Sequence, residues 1–457
     1  MNINKLIKLI QLIKHLWQNE RDMVVRLLTC IFAGIASGMP LYVLFQYMPA
    51  WFRDEGIDLK TIGLIAFIQL PYVWKFVWAP AMDRFVLPFL GRRKGWLFII
   101  QIIIAVLLVS LSFFDISSSL SSIVVVAVLI AFFSASQDIV IDAYRSEILP
   151  DKELGLGAAF HVNAYRLSVL IPVTLGLTLA DHIPWGYVHW VLAGFMILAA
   201  FITIFIPEPK QVYKIPVSLK EATVGAFSEF FKRKGWKPAL VILAFLFFYK
   251  LGDNFAVALS TPFYLDLGFT KTQIGTVSKA AGLWASVAGS ILGGFWMKSL
   301  GIYRALWIFG IVQIFSILGF AYLARTGNDL TTMFWVVSFE YIGVGLGTVA
   351  LLAFMAKISN KQFTATQFAL LSTLATLPRV LASASSGFLV EGLDEDSASW
   401  LHAAFKLFHI PIDGFGWENY FYFSFFAAIP GMLMLIWVAP WNGNFEDESS
   451  KQEKGAE

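Results

Sequence analysis

The sequence predicts an all-α polytopic membrane protein with twelve transmembrane helices in two six-helix bundles, and three observations carry that expectation. Only 14% of the 457 residues are charged and 58% are hydrophobic, with a mean hydropathy of +0.70; soluble domains carry about 25% charged residues. Many windows of about 18 residues are nearly free of charge, the length needed to cross a hydrocarbon core of ~30 Å. Of the 34 Lys and Arg residues, 24 fall in one alternating set of loops and chain ends and 5 in the other. That bias places the richer set, both termini included, in the cytoplasm.

Taken in order, the elements justify themselves as follows. The opening NINKLIKLIQLIKHLWQNE sets Lys5, Lys8 and Lys14 among Ile and Leu at helical spacing. Residues 1–22 are therefore expected to form an amphipathic helix on the membrane surface, not a spanning segment or a cleaved leader. Spans follow near 23–50, 61–82, 95–114, 121–142, 155–180 and 187–206, which make a first bundle over 23–206. Residues 207–236 open on the helix-breaking PEPK and continue as the amphipathic SLKEATVGAFSEFFKRKGW, with a basic cluster at Lys232, Arg233 and Lys234. This is the longest inner connection and the expected linker between bundles related by internal repetition. The second bundle, 237–440, holds spans near 237–264, 272–297, 303–324, 331–357, 361–390 and 418–440, followed by a polar cytoplasmic tail over 441–457. Between the last two spans, 391–417 is an enlarged loop in which SASWLHAAFKLF has the pattern of a short amphipathic helix. Gly34 with Gly38 and Gly289 with Gly293 have the GxxxG spacing of close helix contacts.

Composition also narrows the function. The net charge of +3 gives no sign of a nucleic-acid partner, and the six histidines show no metal-ligand spacing. Cys30 is the one cysteine, so no intrachain disulfide forms.

Nine charged residues lie within the spans: Asp138, Asp142, Asp253, Glu340, Lys75, Arg166, Lys250, Lys279 and Arg379. Each costs about 2.5–3.5 kcal/mol on insertion scales and needs a protein interior or a wet cavity. Interhelical ion pairs account for such residues one at a time; the set as a whole points to a transport pathway. In SASQDIVIDAYRS, Ser134, Asp138, Asp142 and Arg145 fall along one helical stripe. In YKLGDNFAVAL, Lys250, Asp253 and Asn254 share a face. With Asp142 set aside at the inner end, five positive charges stand against three negative, which suits a cargo bearing carboxylates or phosphates. Tyr47, Tyr72, Trp74, Tyr165 and Tyr249 border these positions and can stack on sugar rings.

After the second span, WAPAMDRFVLPFLGRRKGW pairs Asp83-Arg84 with Gly91-Arg92-Arg93-Lys94. It resembles the loop 2–3 signature of the major facilitator superfamily, with a longer insert between its halves. Asp83, Arg84 and Arg92, joined by Asp142 and Arg145, are expected to form a gating network at the inner mouth, although the basic residues also serve simply to hold the loop inside.

Four segments carry a narrower resemblance: IDLKTIGLIAFIQLPYVWKFVWAPAMDR, SASQDIVIDAYRSEILP, FFYKLGDNFAVALS and FTATQFALLSTLATLPRV. They resemble the AmpG-type muropeptide permeases. The resemblance implies the major facilitator fold and proton-driven import of anhydro-muropeptides from periplasm to cytoplasm, for peptidoglycan recycling. It also implies an inner-membrane protein, working as a monomer, whose partners are a glycopeptide cargo, protons and lipid, with no cofactor, metal or enzymatic step. Under it, Asp138 becomes the expected proton-coupling carboxylate with Glu340 as rival. Gln137, Arg166, Lys250, Asp253, Asn254, Lys279, Arg379, Lys75, Tyr72 and Tyr165 become the expected cargo contacts. Well-known members of that family carry two further C-terminal helices, whereas this chain is expected to end after the twelfth span. Two other functions stay open: the same fold carrying another anionic, sugar-containing cargo such as acetyl-CoA, and a membrane-embedded enzyme. The enzyme would need a cluster of nucleophile, metal ligands or paired acids, and His161 and His189 each stand alone in their spans.

Overall fold

A computed structural model describes residues 3–57, 68, 70–209, 215–270, 273–393, 402, 406–407 and 411–441. Every regular element among them is helical, as expected of a chain that must satisfy its backbone hydrogen bonds internally in lipid. The chain divides into two compact units, Met1–Thr223 with Ser359–Ala369, and Val224–Ile358 with Leu370–Glu457.

Unit 1 starts with α1 (Ile3–Tyr42), which passes through a π turn, Val43–Tyr47, into α2 (Met48–Asp54). The segment expected to lie apart on the membrane surface is thus continuous with the first span. The second span is broken: α3 (Leu70–Trp74), a 3-10 turn Lys75–Val77, and α4 (Ala79–Arg84), with residues 58–67 and 69 outside those described. Pro71 and Pro80 sit at the starts of the two short helices, where a missing N–H is harmless, and each disfavours helix in the residue before it. Then come α5 (Lys94–Leu111), α6 (Ile116–Ile148), α7 (Leu154–Leu167), α8 (Gly176–Ala180) and α9 (Trp185–Phe205). α5 packs on α6 and α9, and α1 on α6 and α7. Where α1 meets α7, a Cβ at Gly34 would strike the His161 carbonyl, and one at Gly38 the Ser168 hydroxyl and the Tyr165 carbonyl. The first GxxxG pair is therefore close packing.

Unit 2 holds α10 (Ala226–Lys234), α11 (Trp236–Phe248), α12 (Leu251–Ala258) and α13 (Ser260–Asp266), then a π segment, Ile274–Ala281. α14 (Gly282–Thr326), α15 (Leu330–Ile358), α16 (Thr364–Glu391) and α17 (Gly416–Val438) complete the described helices. The 45 residues of α14 cover two expected spans and are interrupted only at Gly301, whose φ of +76° suits glycine. α14 packs on α15 and α17, and α12 on both α14 and α17. Gly289 again marks backbone contact, its missing Cβ facing the Ile342 carbonyl. α16 starts within unit 1 and continues in unit 2.

Among the described residues, ten helical stretches are long and apolar enough to cross a membrane. Dividing α14 at Gly301 makes eleven, and the described part of the broken second span, residues 70–84, stands where the remaining crossing is expected. Most of SASWLHAAFKLF lies outside the described residues, as does the tail after Trp441. The ends of the 391–417 connection are pinned together: the Leu393 N–H donates to the Ile412 carbonyl at 2.9 Å and the Phe415 N–H to the Leu389 carbonyl at 2.8 Å.

Candidate functional site

Asp83 closes α4 and is fully buried. Its carboxylate accepts Nη2 of Arg92 at 3.1 Å and Nη2 of Arg93 at 2.8 Å. It also accepts the N–H groups of Ala365 (3.2 Å) and Thr366 (2.8 Å) and the Thr366 hydroxyl (2.7 Å), all within unit 1. Those amides belong to the first turn of α16, where donors have no intrahelical partner and the helix dipole favours an anion. Arg93, itself fully buried, also grips Glu147 near the end of α6, with Nη2 at 2.5 Å and Nε at 3.1 Å, and donates to the Met82 carbonyl at 3.0 Å. Burial works against the Arg93 charge, but Glu147 and Asp83 outweigh it and raise the guanidinium's pKa. Behind this cluster Glu208 accepts the N–H groups of Arg93 (2.8 Å) and Lys94 (3.1 Å), capping α5. Burial pushes the Glu208 carboxyl above its ordinary range. Gly91, at φ +92°, gives this carboxyl its room: a Cβ there would lie 2.7 Å from it.

This cluster differs from the gating set expected from the sequence. Asp83 and Arg92 are joined, but Arg84 lies outside, half-buried over the Phe85 ring at 5.7 Å. Asp142 and Arg145 form their own pair at 3.1 Å, with Lys75 Nζ 3.9 Å from Asp142 and the Arg145 guanidinium over the Phe368 ring. Arg93, Glu147 and Glu208, which complete the Asp83 cluster, were not among the expected residues.

One turn along α6 from Asp142, Asp138 takes a 2.5 Å hydrogen bond from the Ser37 hydroxyl of α1. Lys75 is the cation and Asp142 the anion that act on its carboxyl. The break between α3 and α4 positions Lys75, and Tyr72 stands beside both Asp138 and Ser134. Tyr72, Lys75, Ser37 and Asp138 thus form one polar patch within an apolar unit. Gln137 has a different place: wholly buried, its Nε2 donates to the Ala36 carbonyl at 2.5 Å, which ties α6 to α1. Its Oε1 is buried without a donor. Arg166 and Tyr165 are half-buried near the end of α7, with the Tyr165 ring 5.9 Å from that of Tyr42.

In unit 2, Lys250 sits at the break between α11 and α12 and holds Asp253 at 2.9 Å. Asn254 donates to the Lys250 carbonyl at 2.6 Å, so the shared face read from the sequence is present. Glu340, fully buried in α15, accepts the Ser316 hydroxyl of α14 at 2.5 Å. Arg379 is exposed beside Pro378 within α16. Lys279 belongs to the π segment, and its side chain lies outside the described residues. His189 packs edge-on against Trp51 and Tyr47, and no group of potential metal ligands occurs among the described residues.

Comparison with known proteins adds three findings. Residues 30–383 match the sequence profile of the Major Facilitator Superfamily. The anhydromuropeptide permease of Escherichia coli K12 is 38% identical over 92% of this chain and 80% of its own, and an uncharacterized Haemophilus influenzae protein is 44% identical over 91% and 95%. Among solved structures, the proton:xylose symporter XylE has a TM-score of 0.62 over 92% of this chain and 97% of its own, at 11% identity, a likeness of fold alone.

Proposed function

Because the chain belongs to the major facilitator superfamily, and within it to the family of anhydromuropeptide permeases, we propose that it imports anhydro-muropeptides from periplasm to cytoplasm, driven by the proton gradient. It is a multi-pass membrane transporter and not an enzyme. The observation that carries the cargo is the 38% identity spread over 92% of the chain.

In this reading Asp138 takes up and releases the coupling proton. A hydroxyl and a cation address its carboxyl from neighbouring elements, Ser37 on α1 and Lys75 at the break in the second span. Lys75, Arg166, Lys250, Lys279 and Arg379 draw the cargo's carboxylates, and Tyr72 and Tyr165 stack on its sugars. The Asp83 cluster works as a latch on the start of α16, since its buried ions lose much of their stabilisation if one partner is withdrawn. The protein works as a monomer in the inner membrane, and the Lys/Arg bias supports two cytoplasmic termini.

Uptake of labelled anhydro-muropeptide into proteoliposomes tests the proposal. Accumulation is expected only with an inward proton gradient. Asp138→Asn should abolish it while sparing downhill exchange. Wild-type vesicles that accumulate no muropeptide, or do so equally without a gradient, would overturn the reading; full accumulation by Asp138→Asn would move the proton site elsewhere. Competition by acetyl-CoA in the same assay separates the other anionic cargo.

A further inference from the structure

Unit 2 holds a second group of ionisable side chains, whose two carboxyls the Asp138 pathway does not use. Lys250 Nζ holds Oδ2 of Asp253 at 2.9 Å, and the Ser316 hydroxyl donates to Oε2 of Glu340 at 2.5 Å. The other two carboxyl oxygens, Asp253 Oδ1 and Glu340 Oε1, are buried without a donor. Asp253 is the anion and Lys250 the cation that act on the Glu340 carboxyl. Two ionised carboxylates offer only acceptors. One acid proton between them gives a donor to the pair and removes the cost of leaving both oxygens unpaired.

We propose that Asp253 and Glu340 share a proton and form a second proton-exchange site, with Lys250 as its movable counter-charge. The coupling role rests on the transporter reading; the shared proton does not. At rest the group is neutral, one ammonium against two carboxyls holding one proton. Lys250 keeps the most exposure of the three, 8% of its surface against 5% for Asp253 and none for Glu340. When its ammonium moves to a carboxylate of an anionic cargo, the acid pair is left with a net negative charge, and a second proton restores neutrality. When Lys250 returns to Asp253, that proton leaves. Cargo binding and proton uptake then favour each other by the same factor, which is the linkage symport requires.

The polar groups around the pair fit this use. Tyr249 is engaged with the Leu306 carbonyl at 3.0 Å, and Asn254 with the Lys250 carbonyl. Gln313, whose Nε2 and Oε1 are both buried without a partner, lines a cavity of about 10 Å³ with Tyr249, Asp253 and Met432. That is about the least space that takes one water, enough to relay a proton to the pair.

Infrared difference spectroscopy on the full-length protein in lipid tests this, using the Asp138→Asn background so that Asp138 cannot contribute. A protonated carboxyl C=O band is expected at neutral pH, lost on adding Glu340→Gln or Asp253→Asn. Ser316→Ala, which removes only a donor to Glu340, should shift the band and serves if an acid variant fails to fold. A band unchanged by all three substitutions would overturn the proposal. Anhydro-muropeptide added to the Asp138→Asn protein in weak buffer should draw about one proton per cargo bound, abolished by Lys250→Met; binding with no proton uptake overturns the counter-charge role. Failure of the wild type to bind muropeptide would instead sink the cargo reading and leave the infrared result standing.

Discussion

The Glu208 carboxyl closes the start of α5 by accepting two successive backbone amides, those of Arg93 and Lys94. Replacing it with Ala strands both donors, and the expected loss is about 2 kcal/mol, within the range for a hydrogen bond to a charged group. Burial raises this carboxyl's pKa above its unfolded value, so the folded state keeps a proton that the unfolded state has released. Stability from this group is therefore full below about pH 4 and declines as pH rises through the raised pKa. Thermal unfolding across that range should show the decline in wild type and a flatter profile in Glu208→Gln; equal slopes would remove Glu208 from the titration. Not every residue of this cluster was legible. Asp83 and Arg92 were, because their spacing in the loop is itself a signature. Glu147 was passed over in favour of Asp142 and Arg145, although it lies about 140° round the helix from Asp142 at 100° per residue. A helical wheel of SEILP against SASQDIV separates two faces: one turns Asp142 to Arg145 and Lys75, the other turns Glu147 to Arg93.

Helix ends, more than helix bodies, carry the functional detail of this fold. The first turn of α16 presents the Ala365 and Thr366 amides to Asp83, an anion that is also the shared acceptor of two buried arginines. Asp83→Ala should cost about 3 kcal/mol or more, the scale for breaking a buried pair by removing one member. Asp83→Asn keeps the shape but weakens the latch, and spin-label distances should report a changed balance of conformers. Unaltered distances would reduce the motif to a topology signal. Hydropathy and length made the long helices legible. They could not show that the second span is divided by a 3-10 turn at Lys75, nor that residues near 1–22 continue into the first span. The first depends on where two prolines fall relative to packing, and the second on helical propensity persisting past the change from basic to apolar composition.

For the whole molecule, the charge bias predicts an orientation that labelling can check directly. Cys30 is the sole cysteine and is buried, so a Gly225→Cys protein carries one accessible thiol, at the end of the π turn Glu221–Gly225. It should react with impermeant reagents in inside-out vesicles and not in intact cells; the reverse pattern would invert the topology. Twelve crossings and a central connection were legible from composition because lipid imposes length and charge rules on every span. The placement of Ser359–Ala369 was not. Compactness divides the chain at Thr223 and returns Ser359–Ala369 to unit 1, and no hydropathy pattern reports which unit a short polar turn packs in.

That returned segment means that the linear gene and the folded units are cut along different lines. A fragment ending in the central linker carries Asp83 but not Ala365 or Thr366, which supply three of its hydrogen bonds. Severing the linker thus yields no self-sufficient half: the N-terminal piece ends with a buried acid short of donors, and its partner carries eleven residues that belong to the other unit. Split versions of this protein and reporters built on its reassembly inherit that debt, and the place to mend it is the turn before α16.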